Sequence, residues 1–209
     1  MRAGLMRAGL VLAGLLLASA ASAAPVADPD WPCRQAKVPE ISAATVWTGP
    51  TLPSGTSWRE DHDVASLAAE AAARRTPLDQ AIAAVERFAA TAGPQRPQRL
   101  ALLFSGILEI LNADRGSIIA GIGRYARGQR ALAQKIERQA NELGRLTDAG
   151  TAAAQSERAD VAEMQQWDAR IFDERQKALS YVCEQPVLIE QRAFALGRRL
   201  SELAGAAPP

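Results

Sequence analysis

The sequence predicts an all-α fold: a long antiparallel, coiled-coil-like helical hairpin, two short helices that turn part of it into a four-helix bundle, and an irregular N-terminal arm. Three observations carry this. The first is the stretch from Pro97 to Leu146, which has no further proline and repeats its apolar residues at alternating steps of three and four. One row runs Leu108, Arg115, Ile122, Gln129, Ile136, Leu143; a second, three residues on, runs Leu111, Ile118, Tyr125, Leu132, Gln139, Leu146. Two such rows form one helix seam, because seven residues return a helix to nearly the same face. At ~1.5 Å per residue the stretch is a rod of roughly 70 Å, too long for the core of a compact domain this size. The second observation is a periodic stretch of similar length, 151–204, beyond a turn signal. The third is composition: alanine is abundant and aromatics are only 5%. That suits closely packed helices and does not suit a β-sandwich.

The chain opens with Arg2 and Arg7, an apolar run from Leu10 to Ala18, and Ala21-Ser22-Ala23. A basic start, a short apolar run and a small-x-small site make residues 1–23 a secretory signal peptide with cleavage near Ala23. The run is shorter than the ~20 residues a membrane span needs, and no later stretch of the mature chain supplies one. The expected product is soluble and exported. Its Arg-rich, Lys-poor, Ala-rich composition reads as bacterial, which makes the compartment the periplasm. Loss of Arg2 and Arg7, with no Asp or Glu in the removed segment, takes the formal charge from +1 to about −1. Neither nucleic acid nor an anionic membrane is therefore expected as a partner. Cys33 and Cys183 are the only cysteines. In an oxidising compartment their expected state is a disulfide. There is no C-x-x-C of a redox catalyst.

Residues 24–59 show no sustained period, and prolines fall at 25, 29, 32, 39, 50 and 53. Proline removes a donor and restricts its neighbour, so this is an extended, irregular arm. It carries Trp31, Trp47 and Trp58, more apolar bulk than a disordered segment usually holds. The arm is expected to lie across a helical surface with these tryptophans as anchors and Cys33 as a staple. A sharper reading makes them the lining of a ligand groove.

The helical region is 60–209. Glu60-Asp61-His62-Asp63 opens a helix reaching about Arg74, its carboxylates meeting the positive end of the helix dipole. His62 is the only histidine, and consecutive helical residues diverge, so no metal site is expected here. Thr76-Pro77-Leu78-Asp79 reads as cap, first-turn proline and acidic third residue of a helix running to about Thr91. Gly93-Pro94 ends it. After the long helix, Thr147 to Thr151 is a turn in which Gly150 takes a left-handed cap and Thr151 caps the next helix. The last segment has the row Val161, Met164, Asp168, Ile171, Arg175, Ala178, Val182, is interrupted at Pro186, and resumes from Ile189 to Leu203. Pro186 either kinks this helix or starts a new one.

Folded at 147–151, the hairpin sets Gln129 near Asp168, Tyr125 near Arg175 and Ile171, and Arg115 near Cys183 and Glu184. The two short helices cover only the open end, beside Leu100 to Ile122 and Val182 to Leu203, and make a four-helix bundle there. The remainder is a bare two-helix rod that either moves or docks against another protein or a second copy. Arg115, Gln129, Asp168 and Arg175 occupy seam positions, where a buried charge needs a partner. They either fix helix register or line a polar pocket. Asn112, Asp114 and Arg115, beside the Pro186 break, are the strongest candidates for such a pocket. Gly116, Gly121, Gly123 and Gly128 either admit close packing or make a hinge.

Catalysis finds no support in the sequence. A single histidine excludes the paired Glu-x-x-His motifs of di-iron bundles, and there is no Gly-x-Ser-x-Gly turn, phosphate loop or dinucleotide fingerprint. No cofactor is expected. The function expected is an exported, non-catalytic interaction or adaptor module acting through its hairpin. The alternative is a small-ligand binder using the tryptophan arm and the Arg115 region.

Overall fold

A computed structural model describes residues 28–205. The segment read as a signal peptide, 1–23, lies outside them. In chain order the described residues form a single helical turn α1 (Ala43–Val46), α2 (His62–Ala72), α3 (Leu78–Thr91), α4 (Arg96–Ala149) and α5 (Ala152–Gly205). Among the described residues there is no strand. Helices α4 and α5 have 54 residues each and pack along one another as a long antiparallel hairpin. None of the described helices is long and apolar enough to cross a membrane.

The turn is where the sequence placed its caps but later than its bounds implied. Thr147 stays helical, its Oγ1 bonded to Leu143 O at 2.7 Å. The helix stops at Gly150, whose φ of 63° is left-handed and costs glycine little. Thr151 Oγ1 then accepts from Ala154 N at 3.2 Å and caps α5. Because α4 runs on to Ala149, facing pairs slide along α5, although Tyr125 still meets Arg175. Arg115 meets Pro186 rather than Cys183 and Glu184, and Gln129 meets Phe172 rather than Asp168.

Helix α2 begins on Asp61, whose Oδ1 accepts from the amides of Asp63 and Val64, both at 3.1 Å. Helix α3 departs from expectation, since Thr76 does not cap it. Pro77 itself holds the N-cap position with extended backbone, and Pro77 O takes the first intrahelical bond from Ala81 N at 3.0 Å. Thr76 O instead receives Arg192 Nη2 at 2.6 Å, while Arg192 Nε reaches Ala71 O at 2.8 Å. A helix C-terminus offers unsatisfied carbonyls, and this guanidinium from α5 caps α2 there.

Helix α2 packs on α4, and α3 packs on α2 and α5. Their core includes Val64, Val85, Leu100, Leu103, Phe104, Ile107, Leu111, Ile189, Leu196 and Leu200, all at 2% exposure or less. Burying each side chain of this kind contributes ~1.5–3 kcal/mol, so the open end of the hairpin holds the stability of the molecule. Two glycines admit close neighbours. A Cβ on Gly197 would stand 3.0 Å from Val46 O, and one on Gly106 would stand 2.8 Å from the Trp58 ring.

Helix α5 runs unbroken through Pro186, which is buried. Proline has no N–H to donate and its ring crowds the preceding turn, so backbone carbonyls there lose partners. The missing donor belongs to Val182 O, and the next carbonyl, Cys183 O, receives Gln35 Nε2 from the arm. The arm itself is irregular, as expected, apart from α1 and one 3-10 turn at Trp58–Glu60. The proline-free interval between Pro39 and Pro50 leaves room for that single turn of α1.

Beyond the short helices burial falls away on the same two helices. On α4 nothing after Gln129 is buried, and on α5 between Ala152 and Val182 only Ala154 and Asp168 are. The seam residues Leu132, Ile136, Leu143 and Leu146 are half-buried. On α5 the expected inward row fails in part: Met164, Arg175 and Ala178 are exposed, and Phe172 and Leu179 turn toward the partner helix instead. Asp168 keeps its expected place, and the second inward row stands four residues beyond the first rather than three: Gln165, Phe172, Leu179 and buried Pro186 recur at sevens, and Gln165 Nε2 reaches Ile136 O.

Candidate functional site

The polar residues of the seam separate into three places. At the first, Arg115 and Asn112 hold the arm. Arg115 is 4% exposed. Its Nε donates to Val38 O at 3.1 Å and its Nη1 to Pro186 O at 2.6 Å, with Glu190 Oε2 at 3.8 Å from Nη1. Asn112 takes both backbone groups of buried Ile41: Oδ1 accepts from Ile41 N at 2.8 Å and Nδ2 donates to Ile41 O at 3.1 Å. One helix turn of α4 therefore pairs with the arm much as a neighbouring strand would. Asp114 points to solvent and takes no part.

The second place is the root of the rod. Gln129 is buried, and its Nε2 donates to Phe172 O at 3.3 Å while its Oε1 has no protein partner. Arg175 is exposed rather than in the seam; its backbone carbonyl accepts the Tyr125 hydroxyl. Burial raises the Tyr125 phenol above its ordinary value. The third place lies further out. Asp168, 7% exposed, accepts from Lys135 Nζ at 2.8 Å and from Gln139 Nε2 at 2.8 Å. The Lys135 ammonium, and then the Gln139 amide, hold the Asp168 carboxyl below its usual range. The six candidates thus do not converge: Asn112 and Arg115 grip the arm, Gln129 and Asp168 tie the rod helices, and Asp114 and Arg175 face water.

The arm runs from the rod root to the open end. Asp30 pairs with Arg127 and Arg130 of α4. Cys33 is bonded to Cys183, with Cα atoms 5.5 Å apart. Trp31 Nε1 donates back to Gln35 O at 2.7 Å. Trp47 stacks on Phe104 at 4.6 Å between centroids, and Thr48 N donates to Ser201 Oγ at 3.1 Å. Trp58 lies over Gly106, donates Nε1 to Glu109 Oε2 at 2.8 Å, and carries Arg59 above its ring at 4.1 Å. Each of these three indole nitrogens has a protein acceptor, that of Trp47 being Pro50 O at 2.7 Å, as a partly buried tryptophan requires. Spacing showed none of these acceptors, because each lies on another element or outside any period. Lys135 was likewise missed as the partner of Asp168; Gln139 was visible only as a polar interruption of the second seam row.

The four midpoint glycines do not carry close packing. A Cβ on Gly116 or Gly128 would meet open space, one on Gly121 only Arg124, and one on Gly123 would stand 3.8 Å from Asp30 O. His62 is exposed, and its neighbours Asp61 and Asp63 are taken up by Arg99 at 2.9 and 3.4 Å. Among the described residues no group of three His, Cys, Asp or Glu could hold a metal ion. Two wide clefts are open to solvent. One, about 730 Å³, lies between Pro53, Ser57 and Arg99; another, about 610 Å³, lies beside the disulfide between Arg34, Gln176 and Tyr181. Compared with known protein families, curated proteins and solved structures, the chain matches none.

The Asp61–Arg99 pair gives a pH prediction. The Arg99 guanidinium, aided by the amides of Val64 and Asp63, holds the Asp61 carboxyl below its ordinary value against the opposing effect of burial. A lowered folded pKa makes the pair stabilising above the unfolded value of about 3.9 and progressively less so as pH falls through the folded value. Urea midpoints measured from pH 6 down to pH 2 are expected to fall below about pH 4. Asp61→Asn is expected to flatten part of that fall. An identical pH profile in the variant would show that Asp61 does not contribute.

Proposed function

We propose that this chain is an exported, non-catalytic helical protein that works in the periplasm as an interaction module, its hairpin rod being the docking element. One observation carries the reading: the loss of burial along α4 and α5. Leu108 and Leu111 are buried, whereas Leu132, Leu143 and Leu146, in the same two seam rows, stay half-exposed. An unfinished apolar seam is stable in water at little benefit to the free chain and becomes favourable when a partner covers it. The Cys33–Cys183 bond supports the oxidising compartment. The ligand-binding alternative gains no comparable support, since Nε and Nη1 of Arg115 and the tryptophan N–H groups are already bonded within the chain.

The test is site-specific photo-crosslinking of the full chain in cells. A photoreactive residue at Arg138, on the rod, is expected to trap a protein, either another chain or a second copy. The same residue at Arg87, exposed on α3, is expected to trap far less. Equal labelling at both positions, or none at Arg138, would sink the reading.

A further inference from the structure

We infer that the rod of one copy pairs side by side with the rod of a second copy, completing a four-helix bundle along the half of the hairpin that α2 and α3 leave bare. This rests on the reading above and names its partner.

Two independent features select a second copy. The first is charge. Beyond the bundle, α4 carries Arg124, Arg127, Arg130, Lys135, Arg138 and Arg145 against Glu137, Glu142 and Asp148. It stays positive even with Asp30 of the arm docked on Arg127 and Arg130. The facing part of α5 carries Glu157, Asp160, Glu163, Asp168, Asp173 and Glu174 against Arg158, Arg170, Arg175 and Lys177. Each rod thus pairs a net-positive helix with a net-negative one. Such an object is its own complement under a two-fold axis: α4 of one copy lies beside α5 of the other, and like helices fall on the diagonal. A two-fold that set α4 against α4 would oppose like charges.

The second is the apolar surface and its extent. Met164 and Trp167 on α5 are 51% and 62% exposed and flank an open groove of about 530 Å³ with Lys135 of α4. Large apolar side chains on a polar rod are the usual anchors of an interface. A rod of about 25 residues per helix is roughly 37 Å long and about 20 Å wide, a footprint on the order of 700 Å² per copy. That is close to the ~800 Å² per partner of a standard stable interface.

Sedimentation of the full, disulfide-bonded chain tests this. At about 100 µM chain, above the micromolar range expected for an interface of this size, the mass is expected to be twice that of one chain. It should fall toward one chain on dilution and in 1 M salt. Trp167→Glu, at a position already exposed, is expected to weaken pairing at least tenfold with helicity unchanged; Met164→Lys serves if that variant loses helicity. A single-chain mass at every concentration overturns the inference, whatever the variants do. A dimer that both variants leave intact overturns it as well, by placing the contact elsewhere. The Arg138 crosslink separates the two readings: a monomer that still crosslinks to a different protein there keeps the interaction role and loses the self-pairing, while a monomer with no crosslink loses both.

Discussion

Replacing Cys33 and Cys183 with serine is expected to lower unfolding stability by about 3–5 kcal/mol, the largest single effect available in this chain. The bond spans 150 residues of sequence and encloses α2, α3 and all of α4. In the chain-entropy account a loop this long restricts the unfolded state strongly. The folded state adds a second contribution, because the bond sits where the bundle ends and the rod begins. Around it the arm supplies Gln35 to Cys183 O, close to a proline that leaves the helix short of a donor. Losing the bond releases this part of the arm while Asn112, Arg115 and Trp47 still hold the rest. A chain that stays folded but melts roughly 10 °C lower is the expected result. Calorimetry of the native chain, the reduced chain and the double-serine variant measures it. A drop below about 1 kcal/mol would mean that noncovalent contacts alone set the position of the arm.

How far the sequence could be read depended on whether a feature was periodic. The helix of α4 was legible because Leu108, Leu111, Ile118 and Ile122 recur at helical steps, and the disulfide because only two cysteines exist. The hairpin was legible from the Gly150-Thr151 turn, yet its register was not. Thr147 and Asp148 read as turn residues, and the bond from Thr147 Oγ1 to Leu143 O keeps them helical. Tyr125 still meets Arg175, but through the backbone carbonyl, while the Arg175 side chain lies at the surface. The α5 row differs for a separate reason: its second line falls four residues after Val161, Asp168 and Val182, not three, and apolar spacing alone does not say which. The route of the arm was illegible throughout. Its contacts join residues far apart in sequence, such as Ile41 with Asn112 and Val38 with Arg115, and they use backbone groups that every residue carries. Sequence could mark Asn112 and Arg115 as polar residues needing partners. It could not say that the partners were carbonyls and amides of the arm rather than a ligand.

Arg115→Ala is therefore expected to act on the arm, at a cost of about 3 kcal/mol. The change removes a buried cation together with its bonds to Val38 O and Pro186 O, and a carbonyl left buried without a donor costs roughly 1–3 kcal/mol. The two acceptors differ. Val38 is exposed, so its carbonyl regains water once the arm lifts, whereas Pro186 is buried and the loss there is more nearly complete. Arg115→Lys is expected to lie between wild type and alanine, because an ammonium supplies charge without the planar fork that spans both carbonyls. Denaturant midpoints give the size of the effect. Trypsin gives its location: Lys37 is exposed in the arm, and cleavage after it requires the backbone near Val38 to open. With the disulfide intact, Arg115→Ala is expected to speed that cut tenfold or more, as a loss of ~1.4 kcal/mol or above in local stability requires. If stability falls while cleavage after Lys37 keeps its wild-type rate, Arg115 serves the α4–α5 contact at Pro186 and the arm is held by Asn112 and the tryptophans without it.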